Sequence, residues 1–236
     1  MAIHPKIAMV LAAGLGQRMR PLTNTTPKPL LRVAGKRIID YNMDALRAAG
    51  VERAVINKHY LPEQIEAWAK EIANPRITLS DESDAVLETG GGIARALPLL
   101  GHEPFYVLNS DCFWTESGPP ALKRLAESWD DSTMDCLLLL CDPAQTTGYD
   151  GNGDFVIDAQ GRLTRQRNHA LAYIGAYVVH PRLFAGVPEG KFSMNVLWDR
   201  AIVGGRLFGI AHRGHWLHVG TPDAIGKAEA FLQSQP

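Results

Sequence analysis

The sequence predicts an α/β fold, a mostly parallel sheet flanked by helices, with a smaller β-rich part in the second half. Three observations carry this reading. Short β-branched and apolar runs alternate with helical patterns up to about residue 140, the mark of βαβ units around a parallel sheet. The apolar stretch from Ile7 to Ala13 runs straight into a glycine turn, as a buried strand does. Beyond about residue 145 glycines crowd and strands shorten.

Taken in order, strands are expected near Ile7–Leu11, Ala54–Asn57, Ile77–Ser80, Phe105–Asn109 and Cys136–Leu140, with helices between them. Ile38–Ala49 has apolar residues at 38, 39, 45, 46 and 49, one helical face, and Gly50 follows as its C-terminal cap. Leu61–Ile72 is a second helix, with Pro62 in the first turn where a missing N–H costs least. Gly92–Leu100 is a third. In the second half a glycine-rich turn from Gly148 to Gly153 precedes short strands at Phe155–Asp158 and Leu163–Arg165, then a long strand at Tyr173–Val179. This β-rich segment is expected to fold over the open edge of the first half. Pro222–Leu232 closes the chain as an amphipathic helix, with Thr221 as N-cap.

A length of 236 residues suits one sizeable α/β domain and leaves two independent domains cramped. The 24 basic and 25 acidic side chains nearly cancel, so composition offers nucleic acid or a membrane surface no attraction, and anion binding must be local. Three cysteines, at 112, 136 and 141, form no C-x-x-C pair and point to a reducing compartment, with cytoplasm the default. Ile7–Ala13 is too short to span a bilayer or to read as a signal peptide.

Leu11-Ala-Ala-Gly-Leu-Gly-Gln-Arg-Met-Arg-Pro-Leu-Thr places small residues where a backbone must approach a ligand. Gly14 and Gly16 can turn N–H groups toward phosphate oxygens, and Arg18 and Lys28 can neutralise charge there. A glycine-containing first turn also occurs in α/β proteins with no such guest. No Gly-Lys-Ser/Thr follows, so this is not a Walker A loop, and Met19 breaks the G-x-G-x-x-G dinucleotide fingerprint.

That loop, followed by Pro27-Lys-Pro-Leu-Leu-Arg-Val-Ala-Gly, resembles the signature of the sugar-1-phosphate nucleotidyltransferases. The resemblance implies a Rossmann-like single domain over 1–236. A nucleotide-binding part would span about 1–145 and a sugar-acceptor part about 146–236. It implies an enzyme that joins an NTP to a sugar 1-phosphate and releases pyrophosphate, with Mg²⁺ as cofactor. The loop, with Leu11, Ala12, Ala13, Gly14, Gly16 and Gln17, would wrap the NTP. Arg18 would meet the β- and γ-phosphates and Lys28 the α-phosphate under attack. Lys28 is expected to be an exposed loop lysine with little part in packing.

Leu87-Glu-Thr-Gly-Gly-Gly-Ile opens a helix with three glycines whose backbone can lie against a planar ring; a flexible helix entry is the plainer alternative. Its form, Glu88 and Thr89 before Gly91 and Gly92, is similar to the N-acetylmuramate 1-phosphate uridylyltransferases of cell-wall recycling, which implies UTP and assigns these residues to the base. Asn109-Ser-Asp111 follows a strand at the carboxyl end of a parallel sheet, where ligands bind. An Asp there is ordinarily a cap or turn residue, but the family resemblance makes Asp111 the magnesium ligand. Gly151-Asn-Gly-Asp-Phe, with Gly153 and Asp154, is either a hairpin turn or the family's loop against the sugar. Asn109, Arg165 and Asn168 are further sugar contacts by resemblance, with Arg167 a second basic candidate, although the usual Glu-Lys-Pro is missing there. In Trp216-Leu-His-Val-Gly-Thr-Pro, His218 stands where the family has the Asp of Trp-x-Asp-x-Gly-Thr, a second carboxylate for the metal. His218 is therefore expected within reach of Asp111. The three-residue spacing of His212, His215 and His218 does not suit a zinc site. Two other readings stand beside this one. One is a mannose or heptose 1-phosphate guanylyltransferase using GTP, and the other is a non-catalytic regulatory protein that binds nucleotide sugars.

Overall fold

A computed structural model describes residues 3–166, 168, 170–187 and 189–235. The chain opens with β1 (Ile7–Leu11), passes through a short hairpin, β2 (Arg32–Val33) and β3 (Lys36–Arg37), and enters α1 (Ile38–Ala48). Then come β4 (Arg53–Lys58), α2 (Pro62–Glu71), β5 (Arg76–Asp81), α3 (Glu88–Leu100) and β6 (Phe105–Asn109). After β7 (Cys112–Trp114), α4 (Ala121–Ser128) leads to β8 (Cys136–Cys141). The second half holds β9 (Thr146–Thr147), β10 (Phe155–Ile157), β11 (Leu163–Arg165), β12 (Ala172–Val179) and α5 (Met194–Val203). It ends with β13 (Leu207–Ala211), β14 (Trp216–His218) and α6 (Pro222–Ser234).

Seven strands make the central sheet in the order β13-β8-β12-β6-β1-β4-β5, and all are parallel to β1 except β12. The all-apolar strand β8 is buried along its whole length, as a strand covered on both faces must be. Each leucine buried there contributes roughly 1.5–3 kcal/mol. Helix α1 lays Ile39, Met43 and Leu46 on one face of the sheet, and α3 with α5 covers the other through Ile93, Ala96, Leu197 and Ala201.

The fold class and the strands of the first half agree with the sequence pattern. The long strand of the second half does not cover an edge. It is inserted antiparallel between β6 and β8, so strands from both halves share one core. Its residues 176–179 are all buried, which only an interior position provides. Helix α3 starts at Glu88, four residues earlier than the glycine pattern suggests, because Gly90 and Gly91 donate their N–H groups to the Phe192 carbonyl at 2.9 and 3.0 Å. Thr221 holds the N-cap position of α6 but makes no capping side-chain bond. Helices α4 and α5 and strand β13 are additions to the sequence reading.

Candidate active site

From β1 the sheet grows toward β4 on one side and toward β6 on the other. The carboxyl ends of these strands therefore diverge at a switch point, where open α/β sheets hold their ligands. A cavity of about 540 Å³ opens there.

Its floor is the glycine loop. The Ala12 N–H donates to Asn57 Oδ1 at 2.6 Å, which ties the loop to the end of β4. Gly16 takes a left-handed conformation (φ 61°), and a Cβ there would lie 2.9 Å from the Thr23 methyl, so only glycine turns the chain at this point. Thr23 fixes the same turn by donating its hydroxyl to the Gly16 carbonyl at 2.8 Å. Leu11, Ala13, Gly14, Gln17 and Arg18 also line the cavity, with Arg18 exposed and in no ion pair among the described residues.

Lys28 begins a short 3-10 turn after Pro27 and is not the exposed lysine that the loop suggests. Its side chain is 12% exposed, and Nζ donates to Asp111 Oδ2 at 2.9 Å. Asp111 follows β6, and its main-chain carbonyl accepts the Val219 N–H at 2.9 Å, which draws the β14 end to the site. His218 reaches the carboxylate from β14, with Nε2 at 3.8 Å from Oδ2. Burial pushes the Asp111 carboxyl up, but His218 and Lys28 beside it prevail and hold it well below the usual carboxylate range. His218 Nδ1 lies 3.1 Å from the Gly148 carbonyl, which can only accept, so Nδ1 carries a proton. With Nδ1 protonated, Nε2 is either a second donor beside the Asp111 carboxylate or, in the neutral ring, a lone pair open to a cation between the two groups. Among the described residues no cluster of three His, Cys, Asp or Glu side chains could hold a metal. His212 and His215 turn elsewhere, to the Thr115 carbonyl at 3.0 Å and the Thr147 hydroxyl at 2.8 Å.

Glu88 and Thr89 line the cavity, whereas Gly91 and Gly92 do not. A Cβ on Gly91 would meet the Gly190 carbonyl at 2.2 Å, and one on Gly92 would meet Glu82 at 2.8 Å. The triple glycine thus admits the chain around 190–192 and the buried Asn57–Glu82 pair. Asn109 lies between the main cavity and a smaller one, where Asp154 and Arg165 are found. Gly153 donates its N–H to the Tyr149 hydroxyl at 3.1 Å and lines neither cavity. Exposed Asn168 lines neither as well, and Arg167 lies outside the described residues.

Asn57 and Glu82 escaped the sequence reading because each is a lone polar residue at a strand end. Glu82 is 1% exposed, and its Oε1 accepts from Asn57 Nδ2 at 2.8 Å. Burial raises its pKa above the ordinary 4.5, outweighing that bond. A carboxyl raised on folding binds its proton more tightly when folded, so stability falls as pH rises from 4.5 through the folded value. Glu82→Gln, which keeps the acceptor, is expected to melt higher than the wild type at pH 7 and level with it below about pH 4. Equal melting curves at both pH values would refute this.

Glycine loop, basic side chains and a paired carboxylate meet at the sheet's switch point, a setting suited to polyphosphate chemistry on an α/β frame. Comparison with known proteins agrees. The nucleotidyl transferase pattern matches residues 7–235, and the chain belongs to that family. It is 46% identical to an N-acetylmuramate alpha-1-phosphate uridylyltransferase of Caulobacter vibrioides, over 98% of this chain and 99% of that one. The corresponding protein of Neisseria meningitidis is 37% identical over 95% of this chain and 97% of its own. A mannose-1-phosphate guanylyltransferase of Arabidopsis thaliana is more distant, at 28% over 96% of this chain and 65% of that one. Among solved structures, UDP-glucose pyrophosphorylase complexed with UDP-glucose superposes with a TM-score of 0.80 at 20% identity, over 98% of this chain and 100% of that one.

Proposed function

We propose that this enzyme transfers a uridylyl group from UTP to N-acetylmuramate 1-phosphate, giving the UDP-sugar and pyrophosphate. One observation carries the catalytic part: Lys28 and Asp111 form an ion pair in the same cavity as the glycine loop and Arg18. The full-length identity of 46% to a uridylyltransferase, against 28% to a guanylyltransferase, supports the choice of substrates. A regulatory role without turnover would not require these groups together.

The acceptor's phosphate oxygen is already anionic at neutral pH, so attack on the α-phosphorus needs no general base. Positioning and charge supply the rate. The loop's main-chain N–H groups orient the triphosphate, Arg18 offsets charge on the leaving pyrophosphate, and Lys28 steadies the α-phosphate. A divalent cation, Mg²⁺ by family expectation, would neutralise phosphate charge, held by Asp111 and His218. An imidazole is a poorer partner for Mg²⁺ than a carboxylate and suits Mn²⁺ better. His218→Ala is therefore expected to raise the metal concentration for half-maximal rate, and His218→Asp to keep activity and shift preference toward Mg²⁺. Unchanged metal titrations in both variants would make His218 a packing residue.

Three free, buried cysteines support a cytoplasmic location, where product would feed cell-wall recycling. Among the described residues no helix is long and apolar enough to cross a membrane. Pyrophosphate release tests the substrates. UTP with N-acetylmuramate 1-phosphate is expected to exceed GTP with mannose 1-phosphate by at least about tenfold, a difference one buried polar contact can supply. The opposite order would move the chain to the guanylyltransferase reading.

A further inference from the structure

Three basic side chains line the main cavity, Arg18 of the glycine loop, Lys28 beside Asp111, and Lys191. Lys191 comes from the second half of the chain, on a segment strapped across the first turn of α3. The Phe192 carbonyl accepts the Gly90 and Gly91 N–H groups, the Phe192 N–H donates to the Leu87 carbonyl at 3.2 Å, and the Met194 N–H donates to the Thr89 hydroxyl at 2.9 Å. These bonds hold Lys191 on the main cavity, while Ser193, Met194 and Asn195 line the smaller one and Thr89 borders both. The ammonium thus stands where the two cavities meet.

Lys191 Nζ lies 3.3 Å from Glu88 Oε1, and the two side chains are 61% and 44% exposed, so this pair is weak and readily exchanged. Glu88 nonetheless holds a left-handed backbone (φ 59°), which a residue with a Cβ seldom adopts and which persists where the surroundings impose it, often beside a ligand. Its carboxylate can turn to water when Lys191 takes another partner. The other cations are committed. Arg165, the basic side chain of the smaller cavity, is paired with Asp199 and donates to Asn195 Oδ1 at 2.8 Å. Arg18 and Lys28 face the triphosphate in the reading above.

Besides its phosphate, N-acetylmuramate 1-phosphate carries a second anion, the carboxylate at the end of a short lactyl ether arm. Resting on the uridylyl reading above, we propose that Lys191 is the specificity-determining residue for this carboxylate: its ammonium leaves Glu88 and pairs with the lactyl group. A point charge on a flexible stem suits a carboxylate on a rotating arm, whereas a guanidinium fork is made for fixed, two-pronged geometry. A sugar without the arm leaves Lys191 with Glu88 and gains nothing from it.

Two acceptors matched in shape, N-acetylmuramate 1-phosphate and its lactyl amide, isolate the charge. With UTP, wild-type kcat/KM is expected to favour the acid about tenfold, the lower end for a hydrogen bond to a charged group because the lysine is open to water. Lys191→Gln is expected to bring that ratio near one, Lys191→Glu to invert it, and Lys191→Arg to keep most of it. Added salt should shrink the wild-type ratio and leave the Lys191→Gln ratio flat, which a merely structural residue would not do. Calorimetric titration of each sugar phosphate into nucleotide-free enzyme reads the same preference without turnover. A wild-type ratio near one, a Lys191→Gln ratio equal to the wild type's, or a variant that weakens acid and amide alike overturns the assignment. If UTP yields no pyrophosphate with either sugar while titration keeps a preference that Lys191→Gln abolishes, the uridylyl reading falls and the role of Lys191 stands.

Discussion

Lys28→Ala is expected to lower kcat by about 10²–10³, the usual consequence of removing one group that stabilises transition-state charge. The proline-led turn presents this ammonium at the foot of the glycine loop, where the α-phosphate would gain charge as attack proceeds. The variant also strips Asp111 of its partner, since Nζ sits 2.9 Å from the carboxylate on a side chain only 12% exposed. A modest fall in melting temperature should therefore accompany the kinetic loss. Single-turnover rates and thermal melts on one preparation separate the two effects. If kcat survives, Lys28 is a structural counter-ion and the charge assignment fails.

Asp111→Asn is expected to cost about as much, again about 10²–10³ in kcat, with a rise in the metal concentration that gives half-maximal rate. The substitution keeps shape while removing the charge and turning one acceptor oxygen into a donor, so both the rate and the metal dependence are read. His218 and Lys28 already favour the ionised carboxyl, and its neutral replacement leaves two basic groups facing one another across the site. Pyrophosphate release measured against Mg²⁺ and Mn²⁺ decides the matter. A lowered rate with no change in metal dependence would confine Asp111 to holding Lys28.

Local chemistry was legible in the sequence wherever a short stretch carried its own reason. Gly16, Arg18 and Lys28 stand in one run after a strand, and Asp111 follows another strand, so order along the chain already placed them at the sheet's carboxyl edge. His218 was legible as a departure from a pattern. What escaped depends on neighbours distant in sequence. Nothing in Gly90-Gly-Gly92 announces that Gly190 and Phe192 press against it, and isolated Asn57 and Glu82 gain meaning only when β4 and β5 align. Strand β12 reads as apolar whether it covers an edge or fills the middle, because alternation reports burial and not which partner supplies it. Arg165 is a basic residue in either setting; only its pairing with Asp199 shows that its charge is already spent.

The place of β12 also governs when the sheet can close during synthesis. Until residues 172–179 have left the ribosome, β6 offers a bare edge, and β8 lacks β12 on one side and β13 on the other. At about 5–20 residues per second, the interval between the end of β6 and the end of β12 is roughly four to fourteen seconds. For about two to eight seconds of it, from the end of β8 to the end of β12, the wholly apolar Cys136–Cys141 strand has no pairing partner, the condition in which nascent chains associate with one another. A fragment ending near residue 145 would remain in that condition permanently, whereas a chain extended through residue 179 leaves it when β12 pairs with β8.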